Sequence, residues 1–433
     1  MRARLLNLLL FALAVLELLY LIGAIRFTGL FPLVGADFRA LYAAAQIARE
    51  EGFPFIYDLE RHVPVQQALC RMAGSDPSCT LIPMVFPPVF LLPILPLTWL
   101  SPPIAFALWT LMNGLGIGLL LRPYWLHLPG PARRQRLALA LLSFPFFSNL
   151  FWGQSTLWLM LCTHGFLQEW KHHRPFRAGL WASGLLLKPQ LLGLLLPGLA
   201  LARQWRILGG LLSGTAVLAG LSLILAGPHG ITSWIALLSG FARPLPGIAP
   251  EVVGAETMMN WRSIGALLGR GIPPPLAWTV TGAGMLFTAG AALAMARRLD
   301  LREPMARERW TLGLTAATLV STWHAHSHTA LILLPPLASL EGHRMITTWT
   351  LQIWALLPAW VPFVNILLGA LRVLPTIPGL DNLIASKILF GFNLYFTWWA
   401  VRSFFFDSSS SRSPAIVPQD QRENTGSQKG IIP

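Results

Sequence analysis

The chain carries a series of apolar runs, several of them long enough to cross a lipid bilayer. The first extends from Leu5 to Ile25, and about 20 helical residues span ~30 Å of hydrocarbon. Charged residues make up only 12% of the chain, whereas soluble domains have about a quarter. Backbone polar groups inside a bilayer must be satisfied within the segment or a closed barrel. The sequence therefore predicts an all-α polytopic membrane protein.

The first run, Leu5–Ile25, has the position of a secretory signal, but it is long and lacks an Ala-x-Ala type of end. Since more apolar runs follow, we predict that it is a retained first helix. The other predicted helical segments are approximately 137–151, 154–169, 178–200, 207–226, 276–296, 310–323, 326–340, 345–365 and 384–402.

Residues 81–121 are apolar but contain seven prolines. Two spans fit this length. With two spans, however, the basic residues near 122–136 would fall outside, so one piece is alternatively a re-entrant or incomplete span, which proline favours. The sequence leaves these alternatives open and predicts about 10–13 transmembrane helices in all.

The uneven charge distribution predicts an orientation. The N-terminus, the loops near 122–136, 170–177, 203–206, 297–309 and 341–344, and the stretch from Arg402 onward hold 21 of the 32 basic residues. With Glu169 at the edge of the 170–177 loop included, the same regions hold 8 of the 18 acidic residues. The positive-inside rule places them in the cytoplasm, which predicts a multi-pass protein of a bacterial inner membrane with a cytoplasmic N-terminus. No nucleic-acid-binding module is recognisable.

The predicted transmembrane domain, residues 1–405, includes two external regions, 26–80 and 227–275. In the first, Asp37 to Glu51 is rich in helix formers and ends at Gly52, and 59–72 is a second candidate helix. Cys70 and Cys79 in this region are either disulfide-bonded or free thiols. The polar tail 406–433 is predicted to be disordered and cytoplasmic.

Asp37 follows the first predicted span closely, with an aromatic and a cation beside it. A carboxylate at this position can act as a general base on an acceptor hydroxyl. Alternatively, Asp37 is the N-cap of the predicted helix, a position that Asp favours by about 1 kcal/mol. The two roles are compatible.

Other polar residues of the predicted external face could bind a phosphate or a sugar, because cations and histidines offset a phosphate leaving group. For Asp58 the alternative is a turn, for Lys188 a carbonyl contact or snorkelling, and for Arg262 an interfacial anchor. The candidates are Arg39, Tyr57, Asp58, Gln154, Lys188, Asn260, Arg262, His324 and His326.

The run from Ser321 to His328 contains histidines at 324, 326 and 328. If this run is helical, His324 and His328 share a helix face, which suggests a metal site. No Asp, Glu or Cys ligand lies nearby in sequence, however, so contact with a phosphate or sugar and plain polar packing are the alternatives. No Asp-x-Asp pair for a metal–nucleotide sugar is found, and no metal or cofactor is predicted.

A series of short motifs runs in order along most of the chain: Asp37-Phe38 with Tyr42 and Ala44-Ala45, Gly52, Tyr57-Asp58, Phe86-Pro87-Pro88, Pro96-Leu97, Trp109 with Asn113, Gly153-Gln154, Lys188-Pro189, Asn260 with Ser263, Ser321 to His326, and Leu334-Pro335. Taken together, these motifs resemble GT-C glycosyltransferases, and most closely glycosyltransferase family 87. The histidine run departs from the family pattern, because Thr322 follows Ser321 and the histidines alternate.

The resemblance implies a GT-C-type bundle and an inverting transfer, with Asp37 as general base. The sugar, with mannose expected, would come from a polyprenyl-phosphate donor and go to a lipid or glycan acceptor. This chemistry needs no metal if basic residues offset the phosphate charge, and the candidates for that role are Arg262, Lys188, His324 and His326. An alternative function is a transporter or flippase for a lipid-linked glycan, which would have charged residues along several central helices and midplane symmetry.

Overall fold

The chain folds into α-helices joined by short loops and 3₁₀ turns. The computed structural model describes residues 2–72, 79–240, 254–303, 305–343, 345–371 and 380–407, and among these no strand is found. In chain order the helices are α1 Arg2–Thr28, α2 Ala36–Glu50, α3 Leu59–Met72, α4 Pro102–Leu121, α5 Gly130–Leu141, α6 Phe144–Trp152, α7 Thr156–Lys171, α8 Pro175–Ser183, α9 Leu192–Leu201, α10 Trp205–Gly240, α11 Trp261–Leu268, α12 Pro274–Arg298, α13 Ala306–Ser321, α14 Leu334–Gly342, α15 Thr348–Ala370 and α16 Leu380–Asp407.

Within the described residues, five helices are long and apolar enough to cross a membrane, namely α1, α4, α10, α12 and α15. Other apolar segments are divided into shorter pieces, such as α5 with α6 and α8 with α9. This architecture confirms the prediction of an all-α polytopic membrane protein.

Helices α8 and α10 approach each other closely at two glycines. A Cβ atom on Gly179 would lie 2.0 Å from the carbonyl oxygen of Ile207, and one on Gly210 would lie 2.0 Å from that of Phe176. Small residues permit such backbone contact between membrane helices. The close packing of α8 on α10 thus lies directly before the helix break at Lys188, which follows α8.

The region after α1 is helical, as predicted. Helix α2 ends before Gly52, whose φ is +106°, and α3 has the predicted bounds, 59–72. Cys70 and Cys79 form a disulfide, which decides between the two alternatives left open by the sequence.

The proline-rich segment 81–121 contains one full-length helix, α4, and not two. Two 3₁₀ turns, Pro88–Leu91 and Leu95–Trp99, precede it. Prolines lack the N–H that a continuing helix needs, so the first part of the segment remains irregular. This irregular part contacts α2, since the Tyr42 hydroxyl in α2 donates a hydrogen bond to the carbonyl of Leu100 at 2.9 Å.

The segment predicted to end at residue 226 continues as helix to Gly240. Gly227 interrupts α10 with a left-handed φ of +65°, and Pro228 then occupies the start of the new helical stretch, where its missing N–H has no cost. The predicted external region 227–275 therefore begins with helix. Its residues 241–253 lie outside the described residues, as do residues 408–433 of the predicted tail.

Candidate active site

Asp37 lies in the first turn of α2 and is not its N-cap. The N-cap is Gly35, in the left-handed conformation with φ +76°, and no side chain caps the helix. The N-cap alternative for Asp37 is therefore wrong, because the N-cap position lies two residues earlier in the chain. Asp37 is half-buried, whereas its neighbours Ala36 and Phe38 are buried. Asp37 thus lies at the edge of an apolar core and keeps part of its surface accessible.

The turn between α6 and α7 is bound to the start of α2. Gly35 N–H donates to the carbonyl of Phe151 at 2.7 Å. Gly153 has φ +71°, and a Cβ atom there would lie 2.5 Å from the Cβ of Phe38. Only glycine fits both this backbone conformation and this contact. The close approach brings the next residue, Gln154, to Asp37.

Two buried asparagines hold this turn in place. Asn149 accepts a hydrogen bond from Thr156 N–H at 3.2 Å and donates to Asn113 at 3.2 Å. Asn113 donates to the carbonyl of Trp109 at 2.9 Å, and the Trp109 indole donates to the carbonyl of Gly153 at 3.1 Å. Asn149 was missed in the sequence, although a buried amide in an apolar helix requires a polar partner.

Asp37, Gln154, Lys188 and His328 form a continuous chain of hydrogen bonds. Gln154 Nε2 donates to Asp37 Oδ2 at 2.5 Å. Lys188 Nζ donates to Gln154 Oε1 at 3.3 Å and lies 2.9 Å from His328 Nε2. We call these four residues the polar relay. It connects four segments that are distant in sequence.

The break between α8 and α9 positions Lys188. Lys188 lies between two 3₁₀ turns, Gly184–Leu187 and Pro189–Leu191, and its backbone is extended, with φ −129° and ψ 84°. Residues before proline favour extended conformations because the proline ring excludes the helical one. The Lys-Pro pair therefore ends one helix and directs the ammonium group to Gln154.

The histidine run is extended and not helical. Helix α13 ends at Ser321, and a 3₁₀ helix begins at Ser327. The expectation that His324 and His328 share a helix face is therefore wrong. The ring centroids of His324 and His326 are 4.6 Å apart, and those of His326 and His328 are 5.9 Å apart. His328, which the sequence analysis considered only as a member of this run, is the histidine that contacts Lys188.

The extended run is fixed by pairing with residues 258–260. Met258 and His326 form an isolated antiparallel bridge, and Met259 N–H donates to the carbonyl of Ala325 at 2.9 Å. Asn260 donates to the carbonyl of Thr322 at 3.0 Å. Asn260 is also the N-cap of α11 and is buried, so it positions the histidine run.

Arg262 lies beside the histidine run with unused hydrogen-bond donors. Its guanidinium lies 4.4 Å from the centre of the Trp323 ring and donates a long hydrogen bond, 3.4 Å, to the Trp323 carbonyl. Its Nε is buried and has no partner among the described residues. Trp323 in turn stacks on Trp278, with ring centroids 5.7 Å apart.

Arg39 belongs to the scaffold of the segment that follows α1 and not to the polar relay. It is fully buried, and its guanidinium donates to the carbonyl of Phe31 at 3.0 Å, to Cys70 Sγ at 3.0 Å and to the carbonyl of Thr80. These bonds connect α2 to the disulfide and to the segment after it. Burial lowers the pKa of Arg39 to about 10, so it remains a cation at neutral pH.

Tyr57 and Asp58 also have partners away from the polar relay. The Tyr57 hydroxyl donates to the carbonyl of Phe86 at 2.6 Å. Asp58 accepts from the backbone N–H of Glu60 at 3.0 Å and pairs with Arg61 at 3.0 Å. Asp58 therefore occupies a turn before α3, which was the alternative to a binding role.

Opposing effects act on the ionisation of Asp37. Burial raises its pKa above the ordinary value of 3.8, while the hydrogen bond from Gln154 and the charges of Lys188 and Arg39 lower it, and the net pKa is raised. Such a shift moves a carboxylate toward the pKa range useful for a general base.

Within the described part of the chain, no three His, Cys, Asp or Glu residues are arranged to hold a metal ion.

The fold and this polar cluster define a multi-pass membrane protein in which a half-buried carboxylate is linked through Gln154 to Lys188, with Arg262 beside the histidine run. The family model "Glycosyltransferase family 87" matches residues 85–322, more than half of the chain. The chain belongs to glycosyltransferase family 87 and is a membrane glycosyltransferase. The matched region includes Gln154 and Lys188 but neither Asp37 nor His328. No curated protein and no solved structure matches the chain.

Proposed function

We propose that this glycosyltransferase transfers a sugar, expected to be mannose, from a polyprenyl-phosphate donor to a lipid or glycan acceptor. The observation that carries the proposal is the hydrogen-bonded contact between half-buried Asp37 and the Gln154–Lys188 pair. It provides a candidate base with a cation close to it. The donor, the sugar and the acceptor rest on the family resemblance and on this chemistry.

In the proposed reaction Asp37 is the general base. Its carboxylate takes the proton of the acceptor hydroxyl as that oxygen attacks the anomeric carbon of the sugar. The bond from the anomeric carbon to the phosphate oxygen breaks at the same time, and polyprenyl phosphate leaves with the electron pair. A single in-line displacement inverts the anomeric configuration and forms no covalent enzyme intermediate.

The leaving phosphate would be stabilised by side chains that still have donors free. Lysine has three N–H donors, and two of those on Lys188 are directed to Gln154 and His328. Arg262 has its buried Nε unpartnered among the described residues. His324 and His326 are both half-buried beside it. Charge-assisted hydrogen bonds from such groups to phosphate are about twice as strong as neutral ones.

We further propose that the site lies on the extracytoplasmic face of a bacterial inner membrane, with the N-terminus in the cytoplasm. The charge distribution supports this orientation, because basic residues are concentrated in the predicted loops on the side of the membrane opposite to the site. A donor with a polyprenyl chain could reach the site from the bilayer, which agrees with the five apolar spans.

The experiment that tests this function uses purified protein in proteoliposomes with polyprenyl-phosphate mannose labelled in the sugar. We expect labelled sugar to move to an acceptor glycolipid with release of polyprenyl phosphate, and NMR of the product to give an inverted anomeric configuration. The flippase alternative predicts that the labelled donor crosses the bilayer intact. An intact donor in the opposite leaflet, without released polyprenyl phosphate, would contradict the proposal.

A further inference from the structure

We infer that Gln154, Lys188 and His328 are positioning residues, which orient the Asp37 carboxylate so that its Oδ1 takes the acceptor proton. This inference rests on the proposed function, in which Asp37 is the base. Its observation is the unbroken series of contacts at 2.5, 3.3 and 2.9 Å from Asp37 to His328. None of the three residues has to touch the acceptor for this role.

The first step is the orientation of the Gln154 amide. An amide offers an oxygen acceptor at one end and an NH₂ donor at the other, whereas a lysine ammonium only donates. Lys188 therefore faces the amide oxygen, and the NH₂ group is turned to Asp37. A flipped amide would place NH₂ against NH₃⁺ and oxygen against carboxylate, so the cation selects one orientation.

The second step is the position of Lys188 itself. His328 is buried, with 4% of its surface exposed, and its Nε2 lies 2.9 Å from Lys188 Nζ. Because the ammonium donates, Nε2 must accept, so the imidazole is neutral and its proton is on Nδ1. Nδ1 has no partner among the described residues. The contact with His328 thus restrains the Lys188 ammonium in addition to its hydrogen bond to Gln154.

The third step is the consequence for Asp37. Its Oδ2 already accepts the hydrogen bond from Gln154, so Oδ1 is the better placed oxygen to take the proton of an acceptor hydroxyl, which favours an acceptor on one side of the carboxylate. The same hydrogen bond and the Lys188 charge favour the ionised form against the effect of burial, and Arg39 on α2 adds a second charge. Gln154 therefore both orients the base and lowers its pKa relative to the effect of burial alone.

The test measures the pH dependence of kcat/KM for variants of the relay. Gln154→Leu removes the donor to Asp37, and a hydrogen bond to a charged group is worth about one to two pH units. We expect the acidic limb of the profile to move upward by about this amount and kcat at neutral pH to fall by about 10- to 100-fold. Gln204→Leu is the matched control, because the Gln204 amide donates to the carbonyl of Ala202 within its own turn, and no other partner of this amide is found among the described residues.

Two variants at His328 give an independent test if Gln154→Leu does not fold. His328→Gln places an amide oxygen near the position of Nε2 and should keep the wild-type acidic limb, whereas His328→Leu should move the limb in the same direction as Gln154→Leu. A structural defect would lower the amount of active protein for both variants without moving the limb.

The outcomes separate this inference from the function on which it rests. If Asp37→Asn retains normal turnover, Asp37 is not the base and the proposed function fails. If Asp37→Asn is inactive while folded Gln154→Leu and His328→Leu keep the wild-type acidic limb, the relay inference alone is overturned. An upward shift in Gln154→Leu with rescue by His328→Gln supports the inference.

Discussion

Replacing Gly153 with alanine should displace the turn that brings Gln154 to Asp37. Gly153 has φ +71°, and the added Cβ would lie 2.5 Å from the Cβ of Phe38 and 3.0 Å from the ring of Phe106. The left-handed conformation costs an L-residue about 1–2 kcal/mol, and overpacking of a filled core costs about 1–3 kcal/mol. Together they predict a destabilisation of about 2–5 kcal/mol, relieved in part by movement of the turn.

The assay for Gly153→Ala combines thermal unfolding in detergent with steady-state transfer below the unfolding temperature. We expect a lower unfolding midpoint and a lower kcat in the remaining folded protein, because a shift of about 1 Å at a catalytic group can cost about 100-fold. Gly118→Ala is the matched control, since a Cβ atom there meets nothing within 4 Å. Wild-type stability and kcat in Gly153→Ala would refute the packing argument.

Three further predictions concern the base, the disulfide and Arg262. Because the Asp37 pKa is raised above 3.8 and the base must be deprotonated, kcat/KM should fall as the pH drops through a value above 3.8, and a limb at or below 3.8 would contradict the assignment. Cys79→Ser should lower the free energy of unfolding by about 2–3 kcal/mol, because the bond to Cys70 closes a short loop; an unfolding midpoint insensitive to reductant in the wild type would count against it. Trp323→Leu should raise the donor KM by about 2- to 30-fold through loss of the cation–π contact with Arg262, with rescue by Trp323→Phe, and an unchanged donor KM would oppose this role.

The two helices that follow α1 were predictable because their signals are local. Helix formers from Asp37 onward and a stop at Gly52 give α2, and α3 has the predicted bounds. The pairing of Cys70 with Cys79 was not decided by the sequence, because it depends on where the fold places the two thiols.

The continuation of α10 through Gly227 and Pro228 was not predictable from these residues. A Gly-Pro pair normally indicates a helix end. Here the chain leaves the helix for one residue and then begins another helical stretch up to Gly240. The side chain of Trp234 in this stretch donates to the carbonyl of Val85 at 2.9 Å, a tertiary contact that local sequence does not contain.

The candidate active site likewise depends on contacts between residues that are distant in sequence. Asp37, Gln154 and Lys188 were each identified from the sequence as polar residues in apolar surroundings, but the bond between the first two joins positions 117 residues apart. The extended form of the histidine run depends on its pairing with Met258 and Met259, about 67 residues earlier. For this reason His328 was recognised as a neighbour of Lys188 only in the structure.

The most direct test of the central claim is the turnover of Asp37→Asn with labelled polyprenyl-phosphate mannose in proteoliposomes. The amide keeps the size of the side chain and can still meet Gln154 after a rotation, so the helical content and unfolding midpoint should match the wild type. Loss of general-base catalysis predicts a kcat about 10²- to 10⁴-fold lower. Wild-type turnover by folded Asp37→Asn would contradict the account.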